Sequence, residues 1–404
     1  MIANTIGTRE NRGKAIASQS DNIKKVNDHQ YKVKSQSGHG FYDVKETDHG
    51  MTCTCKDFTT RGGKCKHILA TKYYLEVQKE TPQGIVTEKI RLTYKQAWNA
   101  YNEAQKAEVK LFDELLKDLV QAIPEPEQHM GRPRLSIHDA LFCAIQKVYS
   151  QLSSRRAHSL FQNAEEREQI EKAPCFNTPS YLFNRPDITP ILHRLVYLSS
   201  LPVAGIETDF AVDSTGFRTT TFSAYNSEKY GLNKEHQWLK AHICVGVKTN
   251  IIVAVTITNG TAGDSPQFEP LIKQTSEGFI INEVSADMAY SSRENLSLVG
   301  SVGGTPYIPF KKGSTDKQRG SSMWVKMFHY FMLNKEEFMD HFHKRSNIES
   351  TNAAIKRKFG ETLKSKNWVA QVNELLCKII AYNLTVVIHE MYENDINPEF
   401  LNKK

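Results

Sequence analysis

The sequence predicts an α/β protein whose C-terminal half is a mixed sheet flanked by helices, preceded by an all-helical region and a small cysteine-rich module. Three cysteines and one histidine are crowded into residues 53–67. Apolar residues then recur at helical spacing, and after Gly205 the pattern changes to strands that alternate with helices. The expected segments are a flexible leader at 1–28, the module at 29–82, a linker helix at 83–126, the helical region at 127–203 and the sheet domain at 204–400.

Composition and charge narrow the class of protein. The chain has 404 residues, of which 39% are hydrophobic and 24% charged, as in soluble proteins of two or three domains. We identify no run of about 18 apolar residues and no secretion signal, so we expect a cytoplasmic protein without a membrane partner. Residues 311–367 hold 13 Lys and Arg against 6 Asp and Glu. That local excess predicts a nucleic-acid partner, although an ordinary basic surface would also explain it.

The cysteine-rich module has the spacing of a metal site. Cys53, Cys55, Cys65 and His67 are separated by one, nine and one residues, and four such ligands complete a tetrahedral zinc site. The first pair follows a predicted hairpin and the second opens a predicted helix. The other four cysteines are scattered, which predicts reduced thiols and no disulfide scaffold. The C-x-C…C-x-H arrangement resembles a SWIM zinc finger, which implies structural Zn²⁺ in a small module that binds DNA or protein.

Helical periodicity extends over most of residues 96–199. The helix predicted at 96–123 is interpreted as a packing helix between domains, with a dimer contact as the alternative. Shorter helices follow at 136–149, 154–163 and 188–199. With Arg132 and Arg134 as a basic entry arm, they suit a helix-turn-helix DNA reader, although generic helical packing explains the pattern nearly as well.

Five strands are predicted after Gly205. Three come in succession, F-A-V-D-S-T-G-F, W-L-K-A-H-I-C-V-G-V and I-I-V-A-V-T-I, and the remaining two, G-F-I-I-N-E-V-S-A-D and P-Y-I-P-F, alternate with helices. Long helices close the chain. This order indicates a mixed sheet with helices on its faces, which is the layout of an RNase H-like core.

Three acids occupy distinctive positions in that layout. Asp213 and Asp287 lie at the ends of separate predicted strands, and Glu349 lies on a later helix. Each has an ordinary explanation, namely a turn, a helix cap and an ion pair with Arg345. Hard cations such as Mg²⁺ prefer carboxylate oxygens, so the three acids together predict a divalent metal site. Asp264 is interpreted as the cap of a helix and is left out of this set.

The glutamate belongs to F-H-K-R-S-N-I-E-S-T-N-A-A-I-K, residues 342–356, which we predict as one helix. Arg345, Glu349 and Lys356 follow Phe342 by three, seven and fourteen residues, so all four fall within an arc of about 60°. The segment resembles the Y-x2-R-x3-E-x6-K motif of insertion-sequence DDE transposases. Phe342 replaces the tyrosine of that motif, which keeps the ring and removes the hydroxyl.

The resemblance covers about residues 130–400 and implies a transposase that binds the ends of its mobile element and catalyses DNA cleavage and strand transfer. It implies that Asp213, Asp287 and Glu349 hold two Mg²⁺ or Mn²⁺ ions, and that Arg345 and Lys356 contact DNA. The implied partners are terminal inverted repeats, target DNA and further copies of the chain in a dimer or higher oligomer, at the nucleoid of a prokaryote. Two alternatives stay open: a non-catalytic DNA-binding regulator derived from a transposase, and an RNase H-like nuclease without strand transfer.

Overall fold

The computed structural model describes residues 97–127, 134–219 and 238–398 without interruption, together with residues 131, 229 and 400. In the N-terminal part it describes residues 12–13, 16, 22–27, 29–35, 40–47, 50–61, 64–74, 77–81 and 84–88. Arg132 and most of the predicted leader lie outside these ranges. The chain forms two compact units, Met1–Tyr101 and Asn102–Lys404.

The first unit is built on a four-stranded antiparallel sheet in the order β1-β2-β3-β4. Its strands are β1 Ile23–Asn27, β2 Gln30–Lys34, β3 Phe41–Thr47 and β4 Gly50–Cys53. Tyr31 pairs with Val44, and both are buried with Val33 in a small core, because alternate strand residues share one face. Two helices follow, α1 Lys56–Arg61 and α2 Lys66–Tyr74.

A second hairpin follows this sheet. Strands β5 Val77–Thr81 and β6 Gly84–Glu88 pair antiparallel, with Thr81 opposite Gly84. These strands were not predicted, and β6 lies in the segment expected as the linker helix at 83–126. The helix predicted at 96–123 is confirmed as α3 Trp98–Gln121, within two residues at each end.

The predicted short helices are confirmed to within about three residues at their ends. They are α4 Ile137–Ser150, α5 Ser154–Glu166 and α7 Ile188–Ser200, with the additional α6 Thr178–Phe183 between them. Ser136 caps α4, because its hydroxyl oxygen accepts from the backbone N–H of His138 at 3.1 Å. Glu125 accepts from the N–H of Ile137 at 2.8 Å, so a second exposed donor of the same helix end is satisfied.

The C-terminal half contains the predicted mixed sheet, in the order β11-β10-β7-β8-β9. Its strands are β7 Asp209–Arg218, β8 Trp238–Gly246, β9 Ile252–Asn259, β10 Glu283–Ala286 and β11 Thr305–Tyr307. The first three are antiparallel, whereas β10 and β11 run parallel to β7. Val212 lies opposite Ala286, so the next residues, Asp213 and Asp287, are neighbours. The strand end expected at Asp213 is wrong, because β7 stays paired with β8 as far as Arg218, whereas Asp287 does follow the end of β10.

Helices flank this sheet, as predicted. They are α8 Ser265–Ser276, α9 Arg293–Ser301, α10 Ser322–Leu333, α11 Lys335–Phe342, α12 Ser346–Phe359 and α13 Trp368–Glu393. The single helix predicted for residues 342–356 is wrong in one respect, because a 3-10 turn, His343–Arg345, separates α11 from α12. Lys344 and Arg345 in that turn both contact acids of β7, at Asp209 and Asp213. These contacts explain why the chain tightens there instead of continuing as a regular helix.

Helix α13 is long and apolar enough to cross a membrane by length and composition, which the sequence analysis did not identify. However, 94% of its apolar window is buried inside the protein. Its polar residues are also satisfied by neighbouring elements: Asn383 accepts from the N–H of Ile252 at 3.0 Å and donates to the carbonyl of the same residue at 2.7 Å. The helix therefore serves as a central packing element of its unit.

Glu390, near the end of α13, gives a test of this packing. Burial raises the pKa of Glu390 to about 7, although its carboxylate accepts a hydrogen bond from Asn394. The native state therefore keeps a proton that the unfolded chain releases above its ordinary pKa of 4.5. Protonated Glu390 therefore adds to the free energy of unfolding. This contribution is fully present below pH 4.5 and is lost as the pH rises through about 7.

We therefore expect Glu390→Gln to be more stable than the wild type at pH 8, by roughly 2 kcal/mol, and to lose this advantage at pH 4. Urea unfolding of both proteins at the two pH values measures the difference. Glu336→Gln, at an exposed position of α11 whose charge does not contribute to the Glu390 shift, is the control. A stability difference that did not change with pH would contradict the assignment.

Candidate functional sites

The four predicted zinc ligands converge in the first unit. Cys53 ends β4, Cys55 precedes α1, and Cys65 and His67 stand at the start of α2. Their possible ligand atoms all lie within 4.8 Å of one another, and all four residues are buried. The Nδ1 atom of His67 lies 3.9 Å from the Cys53 sulfur and 4.0 Å from the Cys65 sulfur.

These distances suit a tetrahedral metal ion. Zn–S and Zn–N bonds of about 2.3 and 2.0 Å place the ligands of a tetrahedron about 3.6 Å apart, close to the observed separations. The Cys53 thiol donates a hydrogen bond that lowers the pKa of Cys65 to about 4, against the opposing effect of burial. The hydrogen bond with Cys65, together with burial, raises the pKa of Cys53, and burial raises that of Cys55. The cluster therefore favours a thiolate, the form that binds zinc, at Cys65. Four protein ligands leave no open position, so such an ion would be structural.

Asp213 is the most central of the three predicted catalytic acids. Its carboxylate accepts from the N–H of Ser214 at 2.9 Å and from Nη1 of Arg345 at 2.7 Å. Burial raises the pKa of Asp213 even though both contacts oppose the rise, and the negative charge of Asp287 adds to it. The two aspartates therefore lie near enough to repel each other, as carboxylates that share a cation do.

Asp287 also caps a helical turn, which is the ordinary explanation that the sequence offered for it. Its Oδ1 accepts from the N–H of Ala289 at 2.7 Å and caps the 3-10 turn Met288–Tyr290. A cap uses one carboxylate oxygen and leaves the other available. The local and the catalytic interpretations are therefore compatible.

Glu349 approaches the same place from α12. Its side chain is 67% exposed and lies 3.4 Å from Nη2 of Arg345. Arg345 thus contacts Asp213 and Glu349 with different nitrogens of one guanidinium group. Within the described ranges, the zinc-type cluster alone brings three or more Cys, His, Asp or Glu ligand atoms within 4.8 Å. Asp213 and Glu349 contact Arg345, and Asp287 acts on Asp213 through its charge, but the three acids do not converge as tightly as the zinc-type cluster.

The remaining predicted site residues occupy separate positions. The guanidinium group of Arg345 lies over the ring of Phe342, 5.8 Å from its centre, and the ammonium of Lys356 lies 5.5 Å from the ring centre of Phe217. Burial lowers the pKa of Lys356. Arg134 is exposed at the start of the helical region and has no part in the acidic site.

The side chain of Asp264 does not cap a helix, contrary to the interpretation from the sequence. It occupies the N-cap position of α8, but its side chain makes no capping hydrogen bond. The carboxylate instead lies 2.6 Å from Nζ of Lys240 and 3.2 Å from Nδ1 of His242. Burial opposes its ionisation, but hydrogen bonds from Lys240 and Ser214 outweigh that effect and lower its pKa.

Tyr290 belongs to the same surroundings and was also missed. It is 1% exposed. Burial raises the pKa of its hydroxyl, and the charges of Asp264, Asp213 and Asp287 add to the rise. A protonated phenol beside three acids can donate a hydrogen bond to one of them. The sequence did contain one signal of these surroundings. Lys240 and His242, the partners of Asp264, are two polar residues that share one face of an otherwise apolar strand.

Lys344 anchors the turn that carries Arg345. Its ammonium lies 2.6 Å from both Asp209 and Glu283, at the starts of β7 and β10. His341 also contacts Glu283, at 2.9 Å, and its ring stacks on Tyr307. The turn is therefore attached to two parallel strands, and this attachment determines where Arg345 and Glu349 are presented.

Comparisons with known proteins agree with both motifs. Residues 205–384 match the family model of the transposase DDE domain, and residues 52–76 match that of the SWIM zinc finger. The probable transposase for insertion sequence element ISA1214 of Archaeoglobus fulgidus is 22% identical over 271 residues, which cover 67% of this chain and 80% of that protein.

A cryo-EM structure of the piggyBac transposase synaptic complex with hairpin DNA is similar over 72% of this chain and 74% of the solved chain, with 10% identity and a TM-score of 0.34. At that score the similarity carries no argument about fold or function. The family models and the curated relative confirm the resemblance to DDE transposases that the two motifs indicated, with a match to the SWIM zinc finger ahead of the match to the DDE domain.

Proposed function

We propose that this transposase binds the ends of its mobile element, cleaves DNA there and transfers the cut strand to target DNA. Asp213, Asp287 and Glu349 are the proposed catalytic residues. The observation that carries the proposal is the bridging position of Arg345, 2.7 Å from Asp213 and 3.4 Å from Glu349. Two acids far apart in the chain are thereby gathered around one positive charge, with Asp287 close enough to raise the pKa of Asp213.

The donor chemistry of the three residues fits Mg²⁺ or Mn²⁺, because all the donors are carboxylate oxygens. Two such ions, when bound, activate the attacking oxygen and stabilise the leaving 3′ oxygen. Asp213, Asp287 and Glu349 would hold these ions. Arg345, which contacts Asp213 and Glu349, would also be placed to contact a DNA phosphate.

The sheet supports an RNase H-like core as part of this proposal. Its three antiparallel strands are followed by two parallel ones on the other side of β7. This order places the end of β10 beside Val212 of β7, so Asp213 and Asp287, the residues that follow this pair, can share a site. The helical region would then serve as a helix-turn-helix-like DNA reader, with Arg132 and Arg134 as its basic arm.

The zinc finger completes the proposal. Cys53, Cys55, Cys65 and His67 are the proposed ligands of one structural Zn²⁺, and the module contributes to DNA or protein recognition. Synapsis of two DNA ends requires at least two copies of the chain, so we infer a dimer or higher oligomer. In a prokaryotic cell the protein would act in the cytoplasm, at the nucleoid.

A DNA cleavage assay tests the function against both alternatives. The substrate is a duplex with one labelled strand that carries an inverted repeat flanking the reading frame. A supercoiled plasmid is added as the target DNA. We expect nicking that requires Mg²⁺ or Mn²⁺, followed by joining of the 3′-OH end to the plasmid. Specific binding without nicking would favour the regulator, and nicking without joining would favour the nuclease.

Lys356 gives a separate test of DNA contact at the proposed site. Lys356→Ala is expected to weaken binding of the cleaved DNA end and to reduce the salt dependence of binding by about one phosphate contact. Fluorescence anisotropy between about 50 and 200 mM salt measures both quantities. Lys106→Ala, at an exposed lysine of α3, is the control. Equal salt slopes for all three proteins would remove Lys356 from the DNA-contact set.

A further inference from the structure

A second basic site lies among the helices of the larger unit, apart from the acidic residues. It is a cavity of about 420 Å³ between the ends of α4 and α6 and the start of α13. Three lysines, Lys147, Lys364 and Lys366, contribute to its lining. We propose that this cavity binds the phosphate backbone of a nucleic-acid strand, an inference that rests on the proposed DNA-cleaving function.

Lys147 makes the cavity unusual. Burial lowers its pKa, and the charge of Glu374 opposes that shift. Its ammonium lies over the ring of Phe183, 5.7 Å from the ring centre, and forms no ion pair within the described part of the chain. A half-buried cation without a paired carboxylate costs free energy unless an anion approaches it.

Glu374, the one acid in the lining, already has its hydrogen-bond partners. Its carboxylate accepts from the backbone N–H of Lys364 at 3.0 Å and from that of Ser365 at 2.7 Å. Gln371, one turn earlier on α13, donates to the carbonyls of Ser365 and Lys366, each at 3.2 Å. The first two turns of α13 therefore hold residues 364–366 through both backbone N–H and backbone carbonyl groups.

This attachment presents two cations on a fixed loop. The side chains of Lys364 and Lys366 are exposed at the mouth of the cavity. Lys364 uses one donor on the carbonyl of Gln151 at 2.9 Å, which leaves further N–H groups of its ammonium for a ligand. A loop held in place before binding loses little entropy when it contacts a ligand.

The neutral groups of the lining favour a phosphodiester backbone over a base. They are the hydroxyls of Ser153, Ser154 and Ser180 and the amides of Asn184 and Asn367. Hydroxyl, amide and lysine groups are the usual partners of DNA phosphates and carry little sequence information. The aromatic ring in this described lining, Phe183, is buried beside Lys147 and is not available to stack on a base.

The test is the salt dependence of DNA binding without Mg²⁺ or Mn²⁺, so that no cleavage is involved. Lys147→Gln, Lys366→Gln and the double variant are titrated with a duplex of the element end. We expect the slope of log K against log salt to fall by about 0.9 for each lysine that contacts a phosphate. Lys273→Gln, at an exposed lysine of α8 paired with Glu269, is the control and is expected to keep the wild-type slope.

Several outcomes would decide the inference. A double variant with the slope of the control would overturn it. Because Lys366 is exposed, Lys366→Gln keeps the test valid even if Lys147→Gln disturbs folding. The wild type could also fail to cleave DNA while the lysine variants still show a lower salt slope than the wild type. That result would support the phosphate cavity and count only against the catalytic proposal. If inorganic phosphate alone raised the unfolding midpoint of the wild type but not of the double variant, and the duplex did not, the cavity would be a small-anion site and the nucleic-acid assignment would fail.

Discussion

Glu349→Gln is expected to lower divalent-metal-dependent strand cleavage by at least about 10³-fold while DNA binding stays largely unchanged. The amide has nearly the same shape as the carboxylate but carries no charge and is a poor ligand for Mg²⁺. The side chain is 67% exposed and its ion pair with Arg345 is a long one, at 3.4 Å. The substitution should therefore leave the fold intact.

Asp287→Asn separates the local role of that residue from the catalytic one. Asparagine caps helical turns as well as aspartate does, so the hydrogen bond from the N–H of Ala289 can persist. A residue that only caps the turn would tolerate the change, whereas a metal ligand would not. We expect cleavage to be lost to the same degree as in Glu349→Gln, with an unchanged urea midpoint.

Asp213→Asn should also abolish cleavage, but with a cost in stability, because Arg345 loses its partner at 2.7 Å. Single-turnover cleavage and anisotropy on the same preparations measure chemistry and binding separately. Glu336→Gln, at an exposed acid of α11, is the matched control and should cleave like the wild type. Retained cleavage in Glu349→Gln would refute the assignment of the three acids.

The second large effect concerns the zinc finger. Purified protein is expected to contain one tightly held zinc ion per chain, and Cys65→Ser should prevent the first unit from folding. The buried core of that unit is small and includes the four ligand residues themselves. Structural zinc contributes an apparent 10 to 16 kcal/mol in zinc-finger peptides, which is more than a core of this size supplies.

Zinc analysis, far-UV circular dichroism and limited proteolysis report this loss. Cys175→Ser is the control, since Cys175 is an exposed free cysteine in the other unit. It should keep both the zinc and the protease resistance of the wild type. Metal-free protein with a protease-resistant first unit would contradict the structural role of zinc.

The spacing of the three cysteines and the histidine predicted the zinc cluster, because all four ligands lie within fifteen residues, between the end of β4 and the start of α2. The apolar runs that precede Asp213 and Asp287 also predicted the two strands that carry these acids. The strand end predicted at Asp213 was wrong, because β7 continues to Arg218, whereas β10 ends directly before Asp287 as predicted. The contacts of the Asp264 side chain were not predicted, because the local pattern before Pro266 favoured a helix cap. Its actual partners, Lys240 and His242, come from another strand that only the folded sheet brings near.

The turn at residues 343–345 shows the same limit. Helix propensity and the absence of Pro and Gly predicted one helix through this stretch. Lys344 and Arg345 instead contact Asp209 and Asp213, which lie more than a hundred residues earlier in the chain. Tertiary ion pairs on consecutive residues outweigh a local preference that is worth only tenths of a kcal/mol per residue.

The sequence by itself determined the kinds of ligand this protein offers: soft thiolate and imidazole groups in the first unit, and carboxylates among cations in the second. It also determined the order of the strands and helices apart from the β5–β6 hairpin and α6, since the apolar period of each segment is a local property. Only the tertiary structure decided that Arg345 stands between Asp213 and Glu349, that Asp264 faces Lys240, and that residues 364–366 carry their lysines to a cavity beside Lys147. The physical reason is that strand register and helix packing select partners across the fold, and neither is encoded in the spacing of neighbouring residues.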